Sequence, residues 1–188
     1  MDKRRQLLIK ALQDENENIR SNAAEALERL DTRARVDAIS ELIATGEKVE
    51  KLRAIYALSS LRGQAVVTLV SVALKDEVED VRAAAYRVIG KIADLRALPI
   101  LIEGLKDSSP IVERVVIDAL GSFRDPQLLL PVMHMLKSKD PGVVERAIDI
   151  VGRSGDKRAE EAMLYFSVKG NLNMKYLAMK ALGVMEES

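Results

Sequence analysis

The sequence predicts an all-α protein built as a solenoid of six tandem helical hairpins, each 31 residues long. Three observations carry that expectation. The apolar pattern recurs every 31 residues without insertion or deletion, the apolar spacing inside each period is helical, and a short polar joint divides each period in two. Stepping by 31 from Leu27 reaches Leu58, Ile89, Leu120, Val151 and Leu182. The same step from Leu8 reaches Ile39, Val70, Leu101, Val132 and Met163. From Ala23 it reaches Ala54, Ala85, Val116, Ala147 and Ala178. A fourth register, Leu12, Ile43, Leu74, Leu105 and Leu136, departs only at Ser167. A period of this length marks a repeat array, because each unit is one supersecondary element that buries its apolar face only by stacking on its neighbours. The chain is therefore expected to be one domain, 1–188, with repeats 1–31, 32–62, 63–93, 94–124, 125–155 and 156–188.

Each unit opens with a helix A. In the third copy Val66, Val70, Ala73 and Leu74 form its stripe, at the three- and four-residue spacing of one helix face. The joint Lys75-Asp76-Glu77-Val78-Glu79-Asp80 follows, and Val81, Ala85, Val88, Ile89 and Ile92 form the stripe of helix B. Other joints carry turn chemistry: Thr45-Gly46, Ser108-Ser109-Pro110, Lys139-Asp140-Pro141-Gly142 and Gly170-Asn171. Asp94, Asp125 and Asp156 share one register, where a carboxylate caps the free N–H groups of the next helix A. Pro126 suits the first helical position. Pro99 and Pro131 lie a turn further in, so helix A there is expected to start late or bend.

Gly90, Gly121, Gly152 and Gly183 each follow the recurrent aliphatic of helix B. A helical glycine costs about 1 kcal/mol against alanine, so its return at one register predicts close backbone approach between units. The ends should differ from the middle. In the register of Val36, Val67, Leu98 and Leu129, the first and last copies carry Arg5 and Glu160, a polar replacement. The last helix B runs the other way. Met174, Tyr176, Leu177, Met179, Leu182, Val184 and Met185 make it apolar on nearly all sides. Met179 shares its register with Ile55, Tyr86, Ile117 and Ile148, the positions expected to pack on a following unit. Met174, Tyr176, Met179 and Met185 are therefore candidates for an end-on apolar contact, self-association included.

Composition narrows the function classes. Hydrophobic residues make up 48% and charged residues 31%, the balance of a folding chain. The 29 basic and 29 acidic residues cancel, so binding to nucleic acid would need a local patch. No cysteine is present, which excludes disulfides, thiol nucleophiles and cysteine-held metal or iron–sulfur sites. The longest apolar run, 128–133, falls well short of the ~18 residues of a membrane span. The charged start Met1-Asp2-Lys3-Arg4-Arg5 lacks a signal-peptide core, so a soluble, cytoplasmic protein is expected. The chain has one histidine, His134, and a single imidazole cannot make a metal site. Without a phosphate-cradling glycine loop or a Ser–His–Asp set, no catalytic residue, metal or cofactor is expected.

The run 80–94, Asp-Val-Arg-Ala-Ala-Ala-Tyr-Arg-Val-Ile-Gly-Lys-Ile-Ala-Asp, followed by Leu-Arg-Ala-Leu-Pro-Ile-Leu-Ile-Glu-Gly-Leu-Lys-Asp over 95–107, resembles the HEAT-like repeats of the phycocyanobilin-lyase (PBS lyase) type. There a Val-Arg opens helix B and an Asp closes helix A. The resemblance spans essentially the whole chain and implies a right-handed α/α superhelix, with helix B on the concave side and helix A on the convex side. It also implies an Asp–Arg ladder between turns. Asp14 with Arg20 and Asp76 with Arg82 match that pattern, whereas Asp107 is answered by Glu113, and Lys51, Val144 and Lys175 occupy the Arg register. The ladder is therefore expected to be interrupted and the middle of the array softened. Such repeats serve many proteins, so the resemblance names a fold and not a partner.

The variable helix B positions give the candidate partner-binding face. It comprises Val49, Arg53 and Tyr56 in the second copy, Arg87 in the third, and Ile111, Val115 and Asp118 in the fourth. Arg146 and Asp149 continue it in the fifth copy, Leu177 and Lys180 in the sixth. Apolar islands at Val49/Tyr56 and Ile111/Val115 alternate with arginines and carboxylates, as on protein-binding surfaces. The competing reading is a solvated face on which Arg87, Arg146, Asp118 and Asp149 pair with one another, each exposed pair contributing about 0–1 kcal/mol. The function expected is a non-catalytic scaffold for a protein or peptide. The alternatives are an accessory subunit of a lyase or other modifying enzyme, and a weak nucleic-acid-binding module resting on a mild basic excess with Tyr56 nearly its only aromatic.

Overall fold

In a computed structural model the structure describes residues 2–59 and 64–185, which form eleven α-helices and no strand. The chain divides into two compact units, Met1–Ala54 and Ile55–Ser188.

The first unit holds α1 (Lys3–Ala11), α2 (Glu17–Thr45) and the start of α3 (Lys48–Leu58). Asp2 and Asn16 cap α1 and α2, their side chains accepting from the N–H groups of Arg4 and Asn18. Helix α2 runs for 29 residues without a break. That corrects the expected hairpin boundary at 31/32, where the first and second copies meet. Residues 30–36, Leu-Asp-Thr-Arg-Ala-Arg-Val, contain neither glycine nor proline, and Thr32 stands in the register where later copies carry the capping aspartate. Nothing there competes with helix propagation, and Arg5 ties back to Asp31 at 2.5 Å across α1 and α2. Few of this unit's side chains are fully covered; among the described residues Ala23, Ile43 and Ala54 are.

The second unit holds the end of α3, then α4 (Gln64–Ser71), α5 (Glu79–Ile92), α6 (Leu98–Gly104), α7 (Pro110–Leu120) and α8 (Leu129–Met135). It closes with α9 (Pro141–Ser154), α10 (Glu160–Lys169) and α11 (Leu172–Leu182). The junction between the second and third copies lies outside the described residues. Later junctions follow the expected chemistry. Asp94, Asp125 and Asp156 accept from the N–H groups of Arg96, Gln127 and Arg158, each at 2.9 Å. Each opens a short 3₁₀ turn before helix A proper, so α6 and α8 start late, with Pro99 and Pro131 in their first turns. Ala93 and Gly155, at φ of 53° and 66°, end α5 and α9 in the left-handed conformation.

The helix B series stacks in order, α5 on α7, α7 on α9 and α9 on α11. Ile55, Tyr86, Ile117 and Ile148 are buried at one register, while Met179, at the same register of the sixth copy, is 61% exposed. Two of the register glycines show the expected close approach. A Cβ on Gly90 would stand 2.4 Å from the Cβ of Ala119, and one on Gly152 would stand 2.5 Å from the Cβ of Ala181. Gly121 instead makes room for a guanidinium, that of Arg146, 2.4 Å from where its Cβ would be. Gly183 caps the end of α11 with nothing closer than 3.6 Å.

The ties between turns also depart from expectation. Asp107 is not left facing Glu113. Arg82 reaches it from the preceding copy through two parallel bonds of 2.8 and 2.9 Å, and also donates to the carbonyl of Asp76 at 2.9 Å. A second ladder then takes over at the N-caps of α7, α9 and α11. The Ser109 hydroxyl donates to the Glu79 carboxylate. Arg114 donates to Asp140 at 2.6 Å, and Asn171 donates to Glu145 at 2.9 Å. Ser109, Asp140 and Asn171 occupy one register, and each also accepts from an N–H of its own helix. The middle of the array is thus held by caps that serve two helices at once.

Candidate binding face

In the second unit the stacked helices α5, α7, α9 and α11 carry the candidate residues from Arg87 onward at exposed or half-buried positions. In the first unit Val49 and Arg53 are exposed on α3. In the second, Tyr56 is exposed on the last turn of α3, and Arg87 Nη1 donates to its hydroxyl at 3.0 Å. Those two residues, 31 apart in sequence, are therefore brought together. Ile111 is exposed on the first turn of α7, and Val115 lies half-buried one turn on. Leu177 is half-buried and Lys180 exposed on α11.

Between α7 and α9 the charges close on one another. Asp118 lies 3.4 Å from Arg146, Arg146 lies 3.2 Å from Asp149, and Asp149 lies 3.4 Å from Arg153. Arg153 also donates to the carbonyl of Gly121 at 3.1 Å. The ion pairs that the solvated-face reading expects are thus present among Asp118, Arg146 and Asp149. Arg87 does not take part, its partner being the neutral Tyr56 hydroxyl.

Two small hollows flank this network. One, of about 180 Å³, is lined by Arg87, Gly90, Lys91, Val115, Asp118 and Ser122, with Ala119 in its floor. The other, of about 200 Å³, is lined by Asp149, Gly152, Arg153, Leu177, Lys180 and Val184, with Ala181 in its floor. Adding 62 to each number of the first hollow gives a position of the second, so they are one site repeated two units apart. At the intervening step Ile150 takes the register of Ala119 and Ala181, and the Arg146 guanidinium fills the space above Gly121. The sequence reading missed these hollows. The signal was the small residue, Ala119 or Ala181, two positions before the register glycine that follows Gly90 or Gly152 by one period.

Elsewhere the chemistry is structural. The Arg96 side chain holds the Asp94 carboxyl down to about 2, and Arg158 does the same for Asp156. The hydrogen bonds of Arg82 hold Asp107 below the usual carboxylate range. Burial pushes Asp140 upward, but Arg114 and the N–H groups of Gly142 and Val143 outweigh it and leave the carboxyl low. His134 is exposed on α8. Among the described residues no group of three potential metal ligands converges, and no helix is long and apolar enough to cross a membrane.

At the C-terminal end Tyr176 and Met179 are exposed and Met185 is half-buried. Met174 corrects the expectation, being only 8% exposed. It turns into its own hairpin, where a Cβ on Gly170 would stand 2.6 Å from the Met174 Cβ.

A model of HEAT repeats matches residues 2–59, 39–110 and 98–166, so that nearly all of the chain is covered. The chain belongs to the HEAT-repeat family. Solved structures agree with this array in fold. A designed armadillo repeat protein in complex with the peptide (KR)4 is 15% identical with a TM-score of 0.59, over 98% of this chain and 100% of that one. A computationally designed armadillo repeat protein for modular peptide recognition is 14% identical, with a TM-score of 0.60 over 96% and 99% of the two chains. The complex of CpcE and CpcF of phycocyanin lyase from Nostoc sp. PCC7120 is 21% identical, with a TM-score of 0.53 over 96% and 76%. At these identities the likeness concerns the HEAT/armadillo solenoid fold alone. No curated protein matches the array in sequence.

Proposed function

We propose that this HEAT array is a non-catalytic, cytoplasmic scaffold that grips a protein or peptide on its helix B face, the concave side of the solenoid. The observation that carries the reading is the make-up of that face in the second unit. Exposed Tyr56 and Ile111 and half-buried Val115 and Leu177 alternate with arginines. Aromatic and arginine anchors in a partly desolvated row are what binding hot spots are made of. Solenoids of similar fold, one in complex with the peptide (KR)4 and one designed for modular peptide recognition, support the reading by analogy of fold. The test is affinity capture from the source cells with Tyr56→Ala/Val115→Asp beside the unaltered chain. The double variant is expected to lose the captured partner, and retention of every partner would end the proposal.

A second reading concerns the end of the array. Val168 and Leu172, both exposed, stand where earlier copies carry Lys75, Lys106 and Lys137, and Glu79, Pro110 and Pro141. With Tyr176 and Met179 they form an apolar end face, and exposed contiguous apolar area of this kind marks an association surface. A second copy of the chain is its proposed occupant. Light scattering at high concentration should then give a mass above the monomer that Met179→Lys returns to the monomer; a monomer throughout would remove the idea.

A further inference from the structure

We propose that the face between Arg87 and Val184 takes a short extended peptide bearing two aliphatic side chains six residues apart, with acidic groups near both. The inference rests on the reading of that face as a binding surface, and three observations narrow the partner.

The first is the pair of equivalent hollows. Each is floored by a Gly–Ala contact, Gly90 on Ala119 and Gly152 on Ala181, and walled by an apolar side chain, Val115 in one, Leu177 and Val184 in the other. At about 180 and 200 Å³ they fall below the ~300–1,000 Å³ of small-molecule pockets and suit single side chains.

The second is their spacing. The step between them is closed by Arg146 and Ile150, so the anchors skip a copy. Two helix-to-helix steps of about 8–10 Å separate the hollows by roughly 16–20 Å. An extended chain advances about 3.3 Å per residue and turns alternate side chains to the same side. Side chains six apart meet both conditions, whereas five apart would point to opposite faces.

The third is charge. The two cations and two carboxylates of the Asp118–Arg146–Asp149–Arg153 network cancel. Lys91 at the first hollow and Lys180 at the second have no ion-pair partner among the described residues, and Arg87 bonds a neutral hydroxyl. The face therefore presents a neutral centre between positive ends, complementary to carboxylates and unfavourable for a basic peptide. Nucleic acid fits less well, because base stacking calls for aromatic platforms and this face offers Tyr56 alone.

The probe is a fluorescent synthetic peptide with two leucines separated by five serines and a pair of aspartates outside each leucine. Its binding to the full chain is read by anisotropy. Saturable binding is expected, weakened at least tenfold by replacing the leucines with serine, by exchanging the aspartates for lysines, or by removing one serine. On the protein, Lys91→Glu/Lys180→Glu should weaken it about tenfold and Val184→Asp comparably. These are exposed positions, so circular dichroism should show the fold unchanged. Equal binding of the serine, lysine and shortened peptides, or no binding by the designed one, would overturn the proposal. If capture still depends on Tyr56 and Val115, only the peptide chemistry falls. Salt-steep binding of single-stranded DNA, with no peptide binding, would overturn both readings.

Discussion

Asp94 and Asp156 show how much a single side chain does at each junction. Each accepts from the N–H two residues on and is also clamped by the guanidinium of that same residue, Arg96 or Arg158. Their carboxyls lie at about 2, against roughly 3.9 in an unfolded chain. A carboxyl depressed on folding contributes stability in full above the unfolded value and loses it as pH falls through the folded one, here between about pH 4 and 2. NMR titration should find both carboxyls ionising near 2, with Arg96→Ala moving Asp94 back toward the ordinary range and leaving Asp156 in place. A different loss follows at Arg82, which is 14% exposed and holds Asp107, 10% exposed, through two bonds. Arg82→Ala strands a shielded carboxylate, and chemical denaturation should show a loss of about 2–4 kcal/mol.

At the scale of elements, the Gly–Ala contacts fix how closely α5 meets α7 and α9 meets α11. Gly90→Ala gains about 1 kcal/mol of helix propensity but sets two β-carbons 2.4 Å apart, so a net loss of about 1–2 kcal/mol is expected. Ala119→Gly in the same chain should recover most of it, and urea unfolding of the two single variants and the double will show whether they couple. The sequence made this contact legible, because a residue that costs helix propensity returned every 31 positions. The hairpins, their aspartate caps and the late starts of α6 and α8 were legible for the same reason, each being local chemistry repeated. Continuous α2 was hidden by the period itself, which imposed a boundary on residues 30–36 although no glycine or proline stands there. The second ladder was hidden more deeply. Glu79 stands at another register than Arg114 and Glu145, which are opposite in charge, and the three meet their caps 30 or 26 residues away, so no shared pattern announces them. Of the candidate face, the residues were legible and their partners were not. Nothing local tells that Arg87 turns to Tyr56 while Arg146 turns to Asp118 and Asp149.

For the whole molecule, the uneven distribution of buried side chains sets the order of unfolding. Among the described residues, 1–54 cover Ala23, Ile43 and Ala54, whereas the second unit buries large apolar side chains in every copy, among them Leu58, Ile89, Leu101, Ile117, Leu120, Ile148 and Met163. Units of a repeat array unfold by their own stability plus that of adjoining interfaces. Native-state hydrogen exchange should therefore show α1 and α2 losing protection in a separate, lower-energy opening, well before α5, α7 and α9. Uniform protection across both units would contradict this.

The caps that serve two helices also give the copies an address. Glu79 is matched to Ser109, Arg114 to Asp140 and Glu145 to Asn171, so each copy is written to be followed by one particular successor. If the fourth and fifth copies were exchanged, Glu79 would face Asp140, two carboxylates in place of a hydrogen bond, and Arg82 would find Ser138 where Asp107 had been. Equal length and a common core make the copies look like interchangeable parts. Their joints make them a sentence, readable in one order.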